Sequence, residues 1–188
     1  QTMNPSTREV LEAVESVPQD KVIILPNNKN IIPVAKQVLP LTSKEVKVIP
    51  TESIPQGVAA LLSFNYDADL EANASLMEEA SSKVKTVEIT RAVRPAKIGD
   101  FRIKWRQAIG FVDGELVSVG DNPNEVLCKV LANLDVEGSE IITIYYGKNT
   151  KRSEAEEVVN EIRQQYSHLE VELVRGGQPH YNYIASVE

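Results

Sequence analysis

The sequence has few of the residues that build reactive or cross-linked sites. Its single cysteine, Cys128, excludes an intramolecular disulfide. Its two histidines, His168 and His180, lack the paired spacing of a zinc site, and we expect no metal. No glycine-rich loop ends in Gly-Lys-Ser or Gly-Lys-Thr, which excludes a nucleotide P-loop. No run approaches the roughly 18 apolar residues of a membrane-spanning helix, so we expect no transmembrane segment.

The composition is that of an ordinary globular protein, with 42% hydrophobic and 25% charged residues over 188 positions. That length is sufficient for a sizeable hydrophobic core. No secretory signal pattern is present, and we therefore expect a cytoplasmic location. Met3 is internal and the opening residues do not resemble a natural start, so we also expect a piece of a longer chain.

Two short β-branched runs, residues 22–25 and 46–49, carry the clearest structural pattern. A proline ends each run, and a polar loop then leads into a segment of helical apolar periodicity. This order of strand, loop and helix is typical of parallel α/β sheets. We predict an α/β fold with mostly parallel sheet units flanked by helices and an antiparallel β insertion in the middle.

The expected organisation has three parts. Residues 1–82 form an amino-terminal α/β lobe, residues 83–120 an antiparallel β segment, and residues 121–188 a carboxyl-terminal α/β lobe. The middle part is marked by period-two alternation and by Asp113-Gly114 between two apolar runs, which is a strong hairpin signal. The three parts together are expected to make one folded unit.

The loops that follow the first two strands contain the candidate ligand crevice. In parallel sheets, ligands bind outside the carboxyl ends of the strands. Two interpretations stay open for these residues: an anion or acyl-chain site, or simple capping of the helices that follow. For the second loop, a helix capped by Ser53 should have Val58, Leu61 and Leu62 on its inward face. The candidate crevice residues are Asn27, Asn28, Lys29, Asn30, Thr51 and Ser53.

A basic belt lies in the middle of an acidic protein. Residues 83–106 hold eight basic and two acidic side chains, a net charge of +6, whereas the whole chain has −7. The belt is either a surface for an acidic partner or a solvated sheet face. The overall acidity and the lack of interleaved aromatic residues argue against nucleic acid. The candidate partner-binding residues are Arg91, Arg94, Lys97, Arg102, Lys104 and Arg106.

Five motifs, in order, resemble the carboxyl-terminal region of the fatty acid kinase A subunit, whose family was once described as dihydroxyacetone-kinase-like. They are residues 1–7 (QTMNPST), 24–30 (ILPNNKN), 50–57 (PTESIPQG), 144–147 (IYYG) and 176–179 (GGQP) together with 186–188 (SVE). The resemblance covers nearly the whole chain. The order of strands and loops is also similar to the DegV-like, fatty-acid-binding B subunit of the same system.

The resemblance implies a parent enzyme in which an amino-terminal domain uses ATP and magnesium to phosphorylate a fatty acid for phospholipid synthesis. A central domain would make the parent a homodimer. The chain itself would have no catalytic residues and no cofactor, would be monomeric, and would dock the B subunit. In the B subunit, hydroxyl groups hold the fatty-acid carboxylate where asparagines and Lys29 stand here. No ligand residues are therefore transferred, and an independent enzyme is the least favoured alternative.

Overall fold

The computed structural model describes residues 4–188, which fall into two compact units divided between Val84 and Lys85. Residues 1–3, which include the internal Met3 and the start of the first family motif, lie outside the described residues. The predicted mixed α/β class is confirmed, because each unit combines strands with the helices that flank them.

The first unit pairs two short parallel strands with four α-helices. Its elements are α1 (Thr7–Ser16), β1 (Lys21–Ile24), α2 (Ile32–Lys36), a 3-10 helix (Leu39–Leu41), β2 (Glu45–Val48), α3 (Ile54–Leu62) and α4 (Leu70–Lys83). The parallel pairing of β1 with β2, Lys21 opposite Glu45, agrees with the prediction. Its core cluster contains four buried residues, Ile49, Ala60, Ala74 and Met77, and the partly buried Ile23 and Leu25 pack against them.

Side chains that cap helix ends set the boundaries in this unit. The Ser6 hydroxyl accepts from the Glu9 amide while the Glu9 carboxylate accepts from the Ser6 amide, a capping box that begins α1. At the other end of α1, the Lys44 ammonium group donates to the carbonyl oxygens of Val14, at 3.0 Å, and of Val17. A cation at that position interacts favourably with the helix dipole and donates to carbonyl oxygens at the helix end.

The second unit is a six-stranded sheet covered on one face by two helices. Its elements are β3 (Lys85–Arg91), β4 (Ala96–Ile98), β5 (Phe101–Ile103), β6 (Ala108–Val112), β7 (Glu115–Gly120), α5 (Pro123–Ala132), β8 (Ile141–Tyr146), α6 (Arg152–Gln165), β9 (Glu170–Arg175) and β10 (Tyr181–Val187). The predicted hairpin is confirmed: β6 and β7 are antiparallel, and Asp113 (φ 49°) and Gly114 (φ 82°) form the turn.

The strand order of the large sheet is β7-β6-β3-β10-β8-β9. Only β8 and β9 run parallel, while the other four neighbouring pairs are antiparallel. The segment predicted as an insertion, residues 83–120, therefore shares its sheet with residues 121–188, because β10 pairs with β3 on one side and with β8 on the other. Strand β3 begins at Lys85, since residues up to Lys83 belong to α4.

The core of the second unit lies between this sheet and helices α5 and α6. Residues of β3 and β8, such as Val87 and Ile142, belong to one apolar cluster with residues of both helices and are fully buried. The helices contribute Val126, Leu127, Val130 and Leu131 from α5, and Val158, Val159 and Ile162 from α6. The apolar periodicity of residues 124–134 predicts these four α5 residues on the inward face, and the structure confirms it.

Candidate functional site

The loops that follow β1 and β2 meet at Asn27 and Thr51. The Thr51 hydroxyl donates to the Asn27 side-chain oxygen over 2.8 Å, and the Asn27 amide donates to the Thr51 hydroxyl over 3.1 Å. Thr51 is fully buried, and Asn27 has a φ of 53°, a left-handed conformation that asparagine tolerates better than most residues. The two polar groups that were expected to face a ligand therefore satisfy each other.

Asn28, Lys29 and Asn30 form a turn instead of a helix start. The Asn28 side chain accepts from the Asn30 amide over 2.9 Å, and its carbonyl accepts from the Ile31 amide. Helix α2 begins only at Ile32 and has no side-chain cap, so the prediction that an asparagine caps it is wrong. The left-handed turn at Asn27 and the local hydrogen bond of Asn28 use both carboxamides before the helix begins.

Ser53 caps α3 as predicted, because its hydroxyl accepts from the Gln56 amide over 3.3 Å. Of the six predicted crevice residues, Ser53 thus serves the helix, Asn27 and Thr51 join the two loops, and Asn28 and Asn30 close a turn. Lys29 is exposed and carries the only charge in the group. The described geometry does not gather the six into one convergent site.

The basic belt divides into two places in the second unit. Arg91, at the end of β3, donates to the carbonyl oxygens of Arg106 over 2.9 Å and of Asp121 over 3.4 Å. The Arg106 guanidinium lies 5.1 Å from the Trp105 ring centre, a cation–π contact, on a backbone with a φ of 63°. Arg91 and Arg106 line a common cavity, whereas the other four candidates lie elsewhere.

Those four residues surround the small antiparallel hairpin of β4 and β5. Lys97 and Arg102 face each other across it, and Arg94 and Lys104 flank its ends. All four side chains are exposed, and none of the six belt candidates forms an ion pair with a carboxylate within residues 4–188. We call this hairpin with its four basic residues the basic arm. Like charges placed opposite each other on a hairpin repel, so negative charge nearby stabilises the basic arm.

The cavity that Arg91 and Arg106 line has a volume of about 720 Å³ and largely polar walls. Tyr183 is buried in its wall; its hydroxyl donates to Asn124 over 2.7 Å, and burial raises the pKa of this tyrosine. The Asn124 amide group in turn donates to the Glu154 carbonyl oxygen. Sequence reasoning missed these wall residues, although Tyr181-Asn-Tyr183 and Asn122-Pro-Asn124 are visible clusters of polar residues.

The single cysteine is poorly suited to nucleophilic catalysis. Burial, with a smaller contribution from Glu161, raises the pKa of the Cys128 thiol to about 11. Because the thiolate is the reactive form, a cysteine with this pKa is almost entirely unreactive at neutral pH. Across residues 4–188, no three histidine, cysteine, aspartate or glutamate side chains group as metal ligands. Within the same range, no helix has the length and hydrophobicity required to cross a membrane.

Helix α3 and the loop after it expose an apolar surface that the sequence reasoning placed inward. Val58, Leu61 and Leu62 face outward, and the prediction that they form the inward stripe is wrong. The buried positions belong instead to Pro55 and to the small residues Gly57, Ala59 and Ala60, in a helix that packs against α4. We call this surface the α3 face; it comprises Ile54, Val58, Leu61, Leu62, Phe64 and Tyr66.

A protein-family model for the C-terminal region of FakA-like proteins, the A subunits of fatty acid kinase, matches residues 1–188. The chain belongs to this family. The resemblance inferred from the five motifs is therefore confirmed. One relative is protein YloV of Bacillus subtilis (strain 168), which is 40% identical over 188 residues. The alignment covers 100% of this chain and 34% of YloV, so the chain spans about a third of that relative's length.

Solved structures confirm the DegV-like fold of this family member. The Fak B3 protein of Streptococcus pneumoniae, solved with linoleic acid, superposes with a TM-score of 0.69 at 11% identity, covering 98% of this chain and 76% of that one. A DegV family protein of Eubacterium eligens, loaded with heptadecanoic acid, gives 0.68 at 14% identity, covering 98% and 78%. At these identities the likeness establishes the fold alone.

Proposed function

We propose that this chain is a non-catalytic docking domain of the fatty acid kinase A subunit. It holds the separate B subunit, which carries the fatty acid, so that the ATP- and magnesium-dependent domain of the parent enzyme can phosphorylate the lipid. The observation that carries the proposal is the family match over the whole chain. In this proposal ATP and magnesium bind the amino-terminal domain of the parent and not this chain, which spans about a third of its relative's length.

The geometry of the two candidate sites favours docking over catalysis. The hydroxyl and carboxamide groups of the β1 and β2 loops hydrogen-bond to each other and do not converge on a ligand. The basic arm, in contrast, presents Arg94, Lys97, Arg102 and Lys104 without carboxylate partners among residues 4–188. Exposed charges at an interface mainly raise the association rate and make it dependent on salt.

Titration calorimetry of the chain with the fatty-acid-binding B subunit of the same organism tests this proposal. We expect one-to-one binding at micromolar affinity or tighter. Changing Lys97, Arg102 and Lys104 together to glutamate should weaken binding about tenfold or more at low salt and change it less at high salt. In the matched control, three exposed lysines outside the belt are changed to glutamate: Lys36, Lys148 and Lys151.

Two outcomes would count against these assignments. Absence of binding by the unsubstituted chain would remove the docking proposal. Equal affinity of the belt variant and the control variant at low salt would leave docking in place, and would show that the belt is a solvated surface.

A second candidate function is binding of an acyl chain or an anionic metabolite. It is favoured by the fold likeness to proteins solved with linoleic acid and heptadecanoic acid. Solvent extraction of the purified chain followed by mass spectrometry tests it, with thermal melting in the presence of fatty acids as a second measurement. An empty extract and an unchanged melting temperature would exclude a fatty acid as the ligand.

A further inference from the structure

Helix α3 is arranged with its small residues inside and its large apolar residues outside. Pro55, Gly57, Ala59 and Ala60 are buried, while Leu61 is 63% exposed and Leu62 81% exposed. Exposed positions 54, 58, 61 and 62 follow the i, i+4, i+7, i+8 spacing of one helical stripe. Single exposed leucines are common on protein surfaces, but a continuous apolar stripe marks a surface that binds a partner.

Two aromatic residues in the loop after α3 extend this surface. Phe64 and Tyr66 contact each other edge to face, with ring centres 5.1 Å apart, and Tyr66 is 93% exposed. Aromatic residues provide a large part of the binding free energy in protein interfaces, because they bury much apolar area with little loss of side-chain entropy. The α3 face thus combines an aliphatic helical stripe with an aromatic end.

The chain segment that contains the α3 face has charged residues of one sign only. Residues 50–82 include six carboxylates and no lysine or arginine. The carboxylates are Glu52, Asp67, Asp69, Glu71, Glu78 and Glu79. Two of them, Glu71 and Glu79, form ion pairs with Lys47 and Lys83. An apolar surface in an acidic segment complements a groove bordered by lysine or arginine, and its charge disfavours the negatively charged surface of a bacterial membrane.

We infer that the α3 face is an apolar part of the docking surface and inserts into an apolar groove with a basic border on the B subunit. This assignment rests on the proposed docking function. The spacing of the exposed side chains is that of a helix laid into a groove. The basic arm and the α3 face then have different tasks: the arm affects the association rate, and the α3 face determines how slowly the complex dissociates.

The test compares Leu62→Ser and Tyr66→Ser with Leu41→Ser, by measuring association and dissociation of the B subunit on the immobilised chain. Leu41 is a matched control because it is 57% exposed and lies in the 3-10 helix after α2, away from the α3 face in sequence. We expect each α3-face variant to dissociate at least tenfold faster, and the control to remain within about twofold of the unsubstituted chain. Circular dichroism checks that all three variants are folded.

The possible outcomes separate the two proposals. Binding by the unsubstituted chain together with unchanged dissociation of both α3-face variants would overturn this inference and leave the docking function standing. Failure of the unsubstituted chain to bind would overturn both. A third outcome would also overturn this inference: light scattering shows that the chain is a dimer, and Leu62→Ser makes it monomeric without loss of B-subunit binding. A second copy of the chain would then occupy the α3 face.

Discussion

Gly57 has no room for a side chain, because the Asn27 carboxamide occupies the space beside it. A Cβ atom at Gly57 would lie 2.1 Å from the Asn27 side-chain oxygen. That oxygen also accepts the hydrogen bond from the buried Thr51 hydroxyl, so the glycine, the asparagine and the threonine form one packed unit. The glycine of the PTESIPQG motif is therefore explained by a close side-chain approach.

This contact predicts that Gly57→Ala destabilises the protein when Asn27 is present and stabilises it when Asn27 is replaced by glycine. Gly57→Ala should lower the free energy of unfolding by about 1–3 kcal/mol, because the Asn27 side chain must move away from Thr51. In an Asn27→Gly background the clash is gone and the φ of 53° suits glycine. There, the same alanine should stabilise the helix by about 0.5–1 kcal/mol. Urea unfolding of the unsubstituted protein, the two single variants and the double variant measures this double-mutant cycle. Additive effects of the two substitutions would contradict the proposed contact.

Cys128 gives a prediction about pH. Its pKa is raised in the folded protein to about 11, mainly by burial, from a reference value of 9.0. The shift disfavours the thiolate about 100-fold. The folded protein should therefore react with a thiol reagent at pH 8 at least about 100-fold more slowly than the urea-unfolded protein. Because the folded pKa is the higher one, its contribution to stability is complete below pH 9 and is lost as the pH rises towards 11.

At the scale of an element, α3 shows why a correct helix prediction gave the wrong face. The Ser53 cap of this helix was predicted correctly from local chemistry. Hydrophobicity placed Val58, Leu61 and Leu62 inward, because burial of large apolar residues is the usual rule. Close packing against α4 favours alanine on the inner side, and the Asn27 side chain requires glycine at position 57. No local signal in α3 specifies how near these neighbours lie.

The free energy of unfolding tests which residues of α3 face inward. Ala60→Leu should destabilise the protein by about 1–3 kcal/mol, because Ala60 is fully buried and extra methyl groups have no space. Leu61→Ser should change the free energy of unfolding by no more than about 0.5 kcal/mol, since Leu61 is mostly exposed. Chemical denaturation of both variants measures this. The opposite order of effects would support the inward stripe expected from the sequence.

The loops after β1 and β2 were also predicted only in part. Their position at the carboxyl ends of two parallel strands follows from the sequence pattern, and the structure has them there. What Asn27 and Thr51 do depends on a hydrogen bond between residues 24 positions apart, which local patterns do not encode. The α3 face and the cavity wall around Tyr183 were missed for the same reason, because both depend on tertiary packing.

At the scale of the whole molecule, the charge pattern is the feature that is plainest from the sequence. The acidic and apolar segment of residues 50–82 is followed directly by the basic segment of residues 83–106. The family and the DegV-like fold were recognisable from short motifs, whereas the strand order was not. Strand β10 follows β9 along the chain, and a simple extension of the α/β pattern would place the two side by side.

Strand β10 lies in the interior of the sheet, hydrogen-bonded to β3 and β8. Both neighbours are translated before β10, and β3 is much the earlier of the two. Neither strand can form its hydrogen bonds to β10 until β10 leaves the ribosome. During synthesis, the β7-β6-β3 half and the β8-β9 half must wait as open-edged sheets. Such late closure by a distant segment is intrinsically slow. The nascent chain is thus most exposed to misassociation in the interval just before its sheet is closed.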